Sequence, residues 1–292
     1  MSDDHRIGTD SLAVSISAQG AEMTSLTDSS GAELLWQAGP EWPRRAPVLF
    51  PIVGRLAGDR LRHAGRDYPL TQHGFARDSL FAWTERAADR AALVLTDSEA
   101  SHARYPFAFR LEMIYAVSDR TLSVTARVGN PGTVTLPFGI GAHPGFRWPL
   151  VDGLAKEAHR LEFAAAETGS ALSVEGGLLG SPKPLPFDDS VLRLSPDLFA
   201  RDALVLPDVA SRGLRYVAEQ ADGTERCLAF EWEGYKDLGL WSAPKGAPFL
   251  CVEPWYSMAS PVGWDGEFED KPGIALLPPG QSADFVWRVT LG

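Results

Sequence analysis

Along most of this chain the apolar residues recur at every second position. In 109–117 Leu111, Met113, Tyr115 and Val117 share one face, and beyond Asp119-Arg120 the alternation resumes with Leu122, Val124, Ala126 and Val128. Successive side chains of a strand point to opposite faces, so this period of two predicts a β-hairpin with one buried face. Short runs of the same kind recur at 12–18, 91–97, 134–140, 160–166, 214–219, 227–233, 238–242, 249–254 and 283–291. Turn-forming clusters separate them, among them Asp28-Ser29-Ser30-Gly31, Asn130-Pro131-Gly132-Thr133, Ala221-Asp222-Gly223-Thr224 and Pro278-Pro279-Gly280-Gln281. Only 100–107 and 195–203 read as single helical turns. The 28 glycines and 22 prolines are spread throughout and leave little space for long helices. With no internal repeat or linker, the pattern predicts one all-β domain over 1–292, a large antiparallel sandwich with few short helical turns.

A chain of 292 residues is long enough to bury a sizeable core. Its formal net charge of -11 argues against nucleic acid and against an anionic membrane surface as partners. The first ten residues are polar and acidic where a secretory signal needs basic and then apolar ones, and no stretch approaches the roughly 20 apolar residues of a membrane span. Cys227 and Cys251 could form one bridge, far short of a disulfide framework, so a reducing cytoplasm is the expected compartment. A monomer or homodimer is the expected assembly.

Four segments set ionisable side chains among prolines, glycines and aromatics: 48–56, 71–81, 141–148 and 249–266. The small neighbours of His143 leave room for something to approach its ring, which marks a candidate pocket wall. Glu253 follows an apolar run that puts Cys251 on the same side of a strand, and Pro254 is expected to end the ladder. Walled by Trp255 and Trp241, such a carboxylate is partly desolvated and its pKa moves towards neutrality, as a general base requires. Each residue taken singly also has a structural reading, a hydrogen-bonded core histidine or a carboxylate paired with an arginine. His5, His63, His102 and His159 stand in polar contexts and are expected to be solvated.

In their order along the chain, the segments 48–56, 72–81, 141–146 and 238–260 resemble the aldose 1-epimerase (galactose mutarotase-like) family, especially its LacX-type branch. The likeness runs from about residue 10 to the C-terminus. It implies a β-supersandwich whose concave face binds a hexose, and an isomerase that interconverts the α and β anomers of free aldoses with no cofactor and no metal. Position by position, it implies Glu253 as the catalytic base and His143 as the acid. It likewise implies His73 as a second pocket histidine and Arg55 as a sugar-binding arginine, with Arg77 in the same motif as His73. Asp237 lies near the family's substrate-binding aspartate, although the LacX-type pattern usually has no acidic residue there. Trp241 offers a platform for the C–H face of a sugar.

Anomer exchange removes the proton of the C1 hydroxyl while the ring oxygen gains one, so an acid and a base must serve the same carbon. Glu253 and His143 are therefore expected to converge across a gap the width of a pyranose. Three other readings use overlapping residues. A hexose 6-phosphate epimerase on the same fold would enlist Arg44, Arg45 and Arg77 for the phosphate. A non-catalytic sugar-binding module would use the tryptophans and Arg55. A metal hydrolase would ligate its ion through His73, His143 and Glu253, although no HxH or HExxH spacing is present.

Overall fold

The computed structural model describes residues 4–292 and is built almost entirely of antiparallel strands. A nine-stranded sheet runs in the order Val191–Arg193, His159–Phe163, Gly213–Glu219, Glu225–Glu233, Ser282–Leu291, Thr121–Gly129, Arg110–Ser118, Arg90–Thr96 and Ala82–Arg86. An eight-stranded sheet runs from Leu178–Pro184 through Ser170–Glu175, Leu204–Leu206, Asp237–Trp241 and Phe249–Tyr256 to Ile140–Ala142 and Val48–Leu49, with Gly145–Arg147 also paired to Phe249–Tyr256. Three strands near the N-terminus (Asp4–Gly8, Leu12–Ser17, Met23–Asp28) and two small ribbons complete the β structure. The predicted helical turns are present as Glu99–His102 and, in 3₁₀ form, Pro196–Phe199.

The predicted hairpin lies inside the nine-stranded sheet, with Val117 opposite Leu122 and Leu111 opposite Val128. All eight residues assigned to its apolar face are buried. They join one hydrophobic cluster that extends from Ile7 to Leu291 and takes residues from both large sheets. Cys227 and Cys251 are free thiols. Among the described residues no helix is long and apolar enough to cross a membrane.

Two sequence expectations fail here for backbone reasons. The run 134–140 is two strands: Leu136–Phe138 pairs with Ala275–Leu277, whereas Ile140–Ala142 joins the eight-stranded sheet. The chain changes sheets at Gly139, where a Cβ would come within 3.2 Å of Val53 N and Ser257 Cβ. Nor does Pro254 end its strand, which continues to Tyr256. Two residues earlier, the Val252 N–H donates to Pro144 O. By the period of two, the proline nitrogen faces the same way, towards the interruption between Ile140–Ala142 and Gly145–Arg147, so its missing N–H breaks no ladder bond.

Candidate active site

The interruption at His143-Pro144 creates the site. On either side of it the register against Phe249–Tyr256 is the same, with Gly141 opposite Trp255 and Gly145 opposite Cys251. Extended across the break, that pairing sets His143 opposite Glu253. Directly opposed residues of an antiparallel pair have Cβ atoms about 5 Å apart, so their side chains meet. Nε2 of His143 lies 3.2 Å from Oε2 of Glu253, and both residues are buried. The expected pyranose-wide gap is absent; the acid and base candidates touch.

Both residues line a cavity of about 300 Å³. Trp42, Trp241 and Trp255 form its aromatic walls, and Gln72, His73, Arg77 and Asp202 supply further polar groups. Trp42 stacks on His143 with centroids 4.8 Å apart and planes at 28°, while Trp241 and His73 meet the same imidazole edge-on at 5.7 and 5.6 Å. The small residues around His143 make room for these tryptophans rather than for a ligand directly. A Cβ on Gly145 would lie 3.0 Å from Trp42, and one on Gly141 would lie 2.6 Å from Trp255.

Gly239 holds the other edge of Trp255, since a Cβ there would lie 2.3 Å from the indole. Gly239→Ala is therefore expected to displace the ring and to destabilise the fold by about 1–3 kcal/mol, the usual range for overpacking. Denaturant unfolding checks this; wild-type stability in that variant would show that Trp255 is not pinned.

Burial sets the protonation of the pair. It pushes the Glu253 carboxyl well above the usual carboxylate range, helped by the negative charge of Asp202. It lowers His143 to about 3, and Arg77 and Arg44 act in the same direction. Both shifts favour the neutral pair, which carries one proton, on the carboxyl. His73 is likewise held well below its ordinary value, chiefly by burial and then by His143, Arg77 and Arg44. Its Nδ1 accepts the Gly54 N–H at 3.1 Å, while its Nε2 lies 3.3 Å from the side-chain amide nitrogen of Gln72. The turn that aims it has φ of 66° at His73 and 71° at Gly74. Only glycine suits position 74, because a Cβ would lie 2.2 Å from Phe50 O.

Buried polar atoms are nearly always hydrogen-bonded. Among the described residues, four that make no hydrogen bond belong to residues lining this one cavity: Arg77 Nε, His143 Nδ1, Glu253 Oε2 and Trp255 Nε1. Donors and acceptors mixed around an aromatic wall match the chemistry of a polyhydroxylated ring.

Two residues expected in the site lie outside it. The Arg55 guanidinium is taken by Asp59 through two bonds of 2.6 Å, and Arg55 does not line the cavity. Asp237 is buried in a structural role, accepting the backbone N–H groups of Asp208 at 3.0 Å and Ser257 at 3.2 Å, with Lys236 3.7 Å away. Arg77 and Trp241 do line the cavity. His159 is buried rather than solvated: Nε2 accepts the Leu150 N–H at 3.0 Å, which leaves Nδ1 to donate to backbone carbonyls. Trp42 and Asp202 were not anticipated. Asp202 stands at the end of a segment whose sequence signals only a helical turn, and no local pattern sets it apart from a solvated aspartate.

A β-sandwich carrying an imidazole–carboxylate pair in a tryptophan-walled cavity has the build of a carbohydrate epimerase. Comparison with known proteins gives that class its family. The family model described as Aldose 1-epimerase matches residues 3–266, and the chain belongs to this family. It is 30% identical over 291 residues to the protein LacX (chromosomal) of Lactococcus lactis subsp. lactis, covering 96% of each chain. The structure is similar to that of a galactose mutarotase related enzyme from Lactobacillus acidophilus, with 31% identity, TM-score 0.90, and 99% and 97% of the two chains covered. A galactose mutarotase-like protein from Lactobacillus casei shares the fold, with TM-score 0.90 at 24% identity and 99% and 100% coverage.

Proposed function

We propose that the chain interconverts the anomers of free hexoses, with Glu253 and His143 exchanging the two protons. The observation that carries this reading is the 3.2 Å contact between the two side chains inside one cavity. The C1 hydroxyl and the ring oxygen of an aldose are bonded to the same carbon, so an acid and a base that touch each other reach both at once.

With the pair in its ionic form, Glu253 takes the C1 hydroxyl proton as His143 gives its Nε2 proton to the ring oxygen. The C1–O5 bond breaks and the aldehyde forms. The pair is then neutral, which is the form that burial favours, so the same desolvation makes Glu253 the stronger base and His143 the stronger acid. Rotation about C1–C2 and the reverse transfers close the other anomer and restore the pair. His73 and Arg77 are suited to hold ring hydroxyls, and the tryptophans to cover the apolar face.

The phosphosugar reading has weaker support. Arg44 is held by Asp78 at 2.7 Å and Arg45 does not line the cavity, which leaves Arg77 as its arginine. The purified protein is expected to speed the optical-rotation decay of fresh α-D-glucose or α-D-galactose well beyond the spontaneous rate, and to act less well on glucose 6-phosphate. Sugar binding by calorimetry with no acceleration on any of the three would replace this reading with a binding module.

A further inference from the structure

Proton exchange leaves one buried group beside the pair without a role. Cys251 precedes Glu253 by two positions on the same strand, so both side chains project from the same face. Its sulfur, a carboxylate oxygen of Glu253 and a ring nitrogen of His143 all lie within 4.8 Å of one another, and all three residues are buried. Zinc binds sulfur, nitrogen and oxygen at about 2.0–2.3 Å, which places tetrahedral ligands about 3.3–3.8 Å apart. The histidine–glutamate edge, at 3.2 Å, is within about 0.1 Å of that range, and the sulfur needs to close by about 1 Å at most.

A second observation points to a ligand at this spot. Oε2 of Glu253 is buried, lies 3.2 Å from His143 Nε2, and has no other polar partner among the described residues. The donor set also selects the ion. Calcium and magnesium require oxygen shells, whereas one thiolate, one imidazole and one carboxylate suit zinc and its borderline-soft neighbours. His73, offered by the sequence as a metal ligand, does not belong to the group, because its Nδ1 is occupied by the Gly54 N–H.

We propose that His143, Cys251 and Glu253 form a binding site for a zinc-class divalent cation, and that occupancy switches off the proton-transfer pair. Three protein ligands leave the fourth position open to the cavity. On binding, the thiol proton and the proton held by the pair pass to solvent as the metal–sulfur, metal–nitrogen and metal–oxygen bonds form; no oxidation state changes. The metal-bound pair can neither accept the C1 hydroxyl proton nor donate to the ring oxygen. The inhibitory half of the inference rests on the function proposed above, and the binding half does not.

The test uses the full chain titrated with Co²⁺, followed by the sulfur-to-metal charge-transfer absorption, and with Zn²⁺, followed by polarimetry. A second candidate group, His63 with Glu267 and Glu269, holds no sulfur and gives no such absorption when filled. The wild type is expected to show the band and to lose mutarotase activity with zinc. Cys251→Ala and Cys251→Ser are expected to lack the band, to keep their metal-free activity and to need at least roughly tenfold more zinc for half-inhibition, because loss of a direct ligand weakens binding no less than loss of a supporting group. Absence of the band from the wild type overturns the proposal, as does its survival in the variants, which assigns it to Cys227. Variants as zinc-sensitive as the wild type overturn the inhibitory half. Should the protein prove inactive on every sugar, the functional reading fails while the cobalt spectrum still decides the site.

Discussion

Glu253→Gln lowers the catalysed rate of anomer exchange by about 10²–10⁴-fold, the usual contribution of a positioned proton-transfer group. The amide keeps the shape of the side chain and can still hydrogen-bond a sugar hydroxyl, but it cannot take the proton from it. The loss should therefore fall on kcat with KM little changed, the pattern of an interaction made only in the transition state. Polarimetry with the spontaneous rate subtracted reads the first effect. Loss of folding is excluded by a second measurement whose sign is fixed. A carboxyl whose folded-state pKa is raised contributes stability at low pH that is lost as the pH climbs from the ordinary glutamic acid range through the raised value. The wild type should thus lose stability along that limb, and Glu253→Gln should not. A folded variant that keeps its rate removes Glu253 from the role of base.

The strands and the catalytic candidates were legible in the sequence to different depths. A period of two names the buried face of a run without naming its partner, which is why the hairpin at 109–128 was correct in detail while 134–140 concealed a change of sheet at Gly139. The glycine- and proline-rich hairpin 170–184, whose Val174, Gly177 and Leu179 line the cavity, lacks a clean alternation and left no signal. His143 and Glu253 stood out because each sits in a distinctive local motif. Their contact did not, since it depends on one register continuing across a break in a strand. Arg55 and Asp237 show the opposite failure. A charged residue near a motif reads the same whether it faces a ligand or a partner such as Asp59 or the backbone at Ser257. The glycines beside His143 read as room for a group to approach its ring from the pocket, whereas the space belongs to Trp42 and Trp255. Small residues report close packing without telling what is packed.

His143→Asn should cost activity on the same scale, about 10²–10⁴-fold, and the double variant with Glu253→Gln should cost scarcely more than either single change. Two groups acting on separate steps would give losses that multiply. These two touch at 3.2 Å and act on the same substrate carbon, one taking a proton as the other gives one, so each transfer requires the complementary transfer, and removing either member disables both. The pH dependence of stability separates their contributions to the fold. A histidine lowered to about 3 contributes stability above its ordinary value that is lost as the pH falls from about 6.5 towards 3, and His143→Asn should lack this loss on acidification, just as Glu253→Gln lacks the loss as the pH rises. Losses that multiply in the double variant, with sugar binding intact by calorimetry, would mean that the carboxylate and the imidazole work independently, and the mechanism of two coupled proton transfers would have to be abandoned.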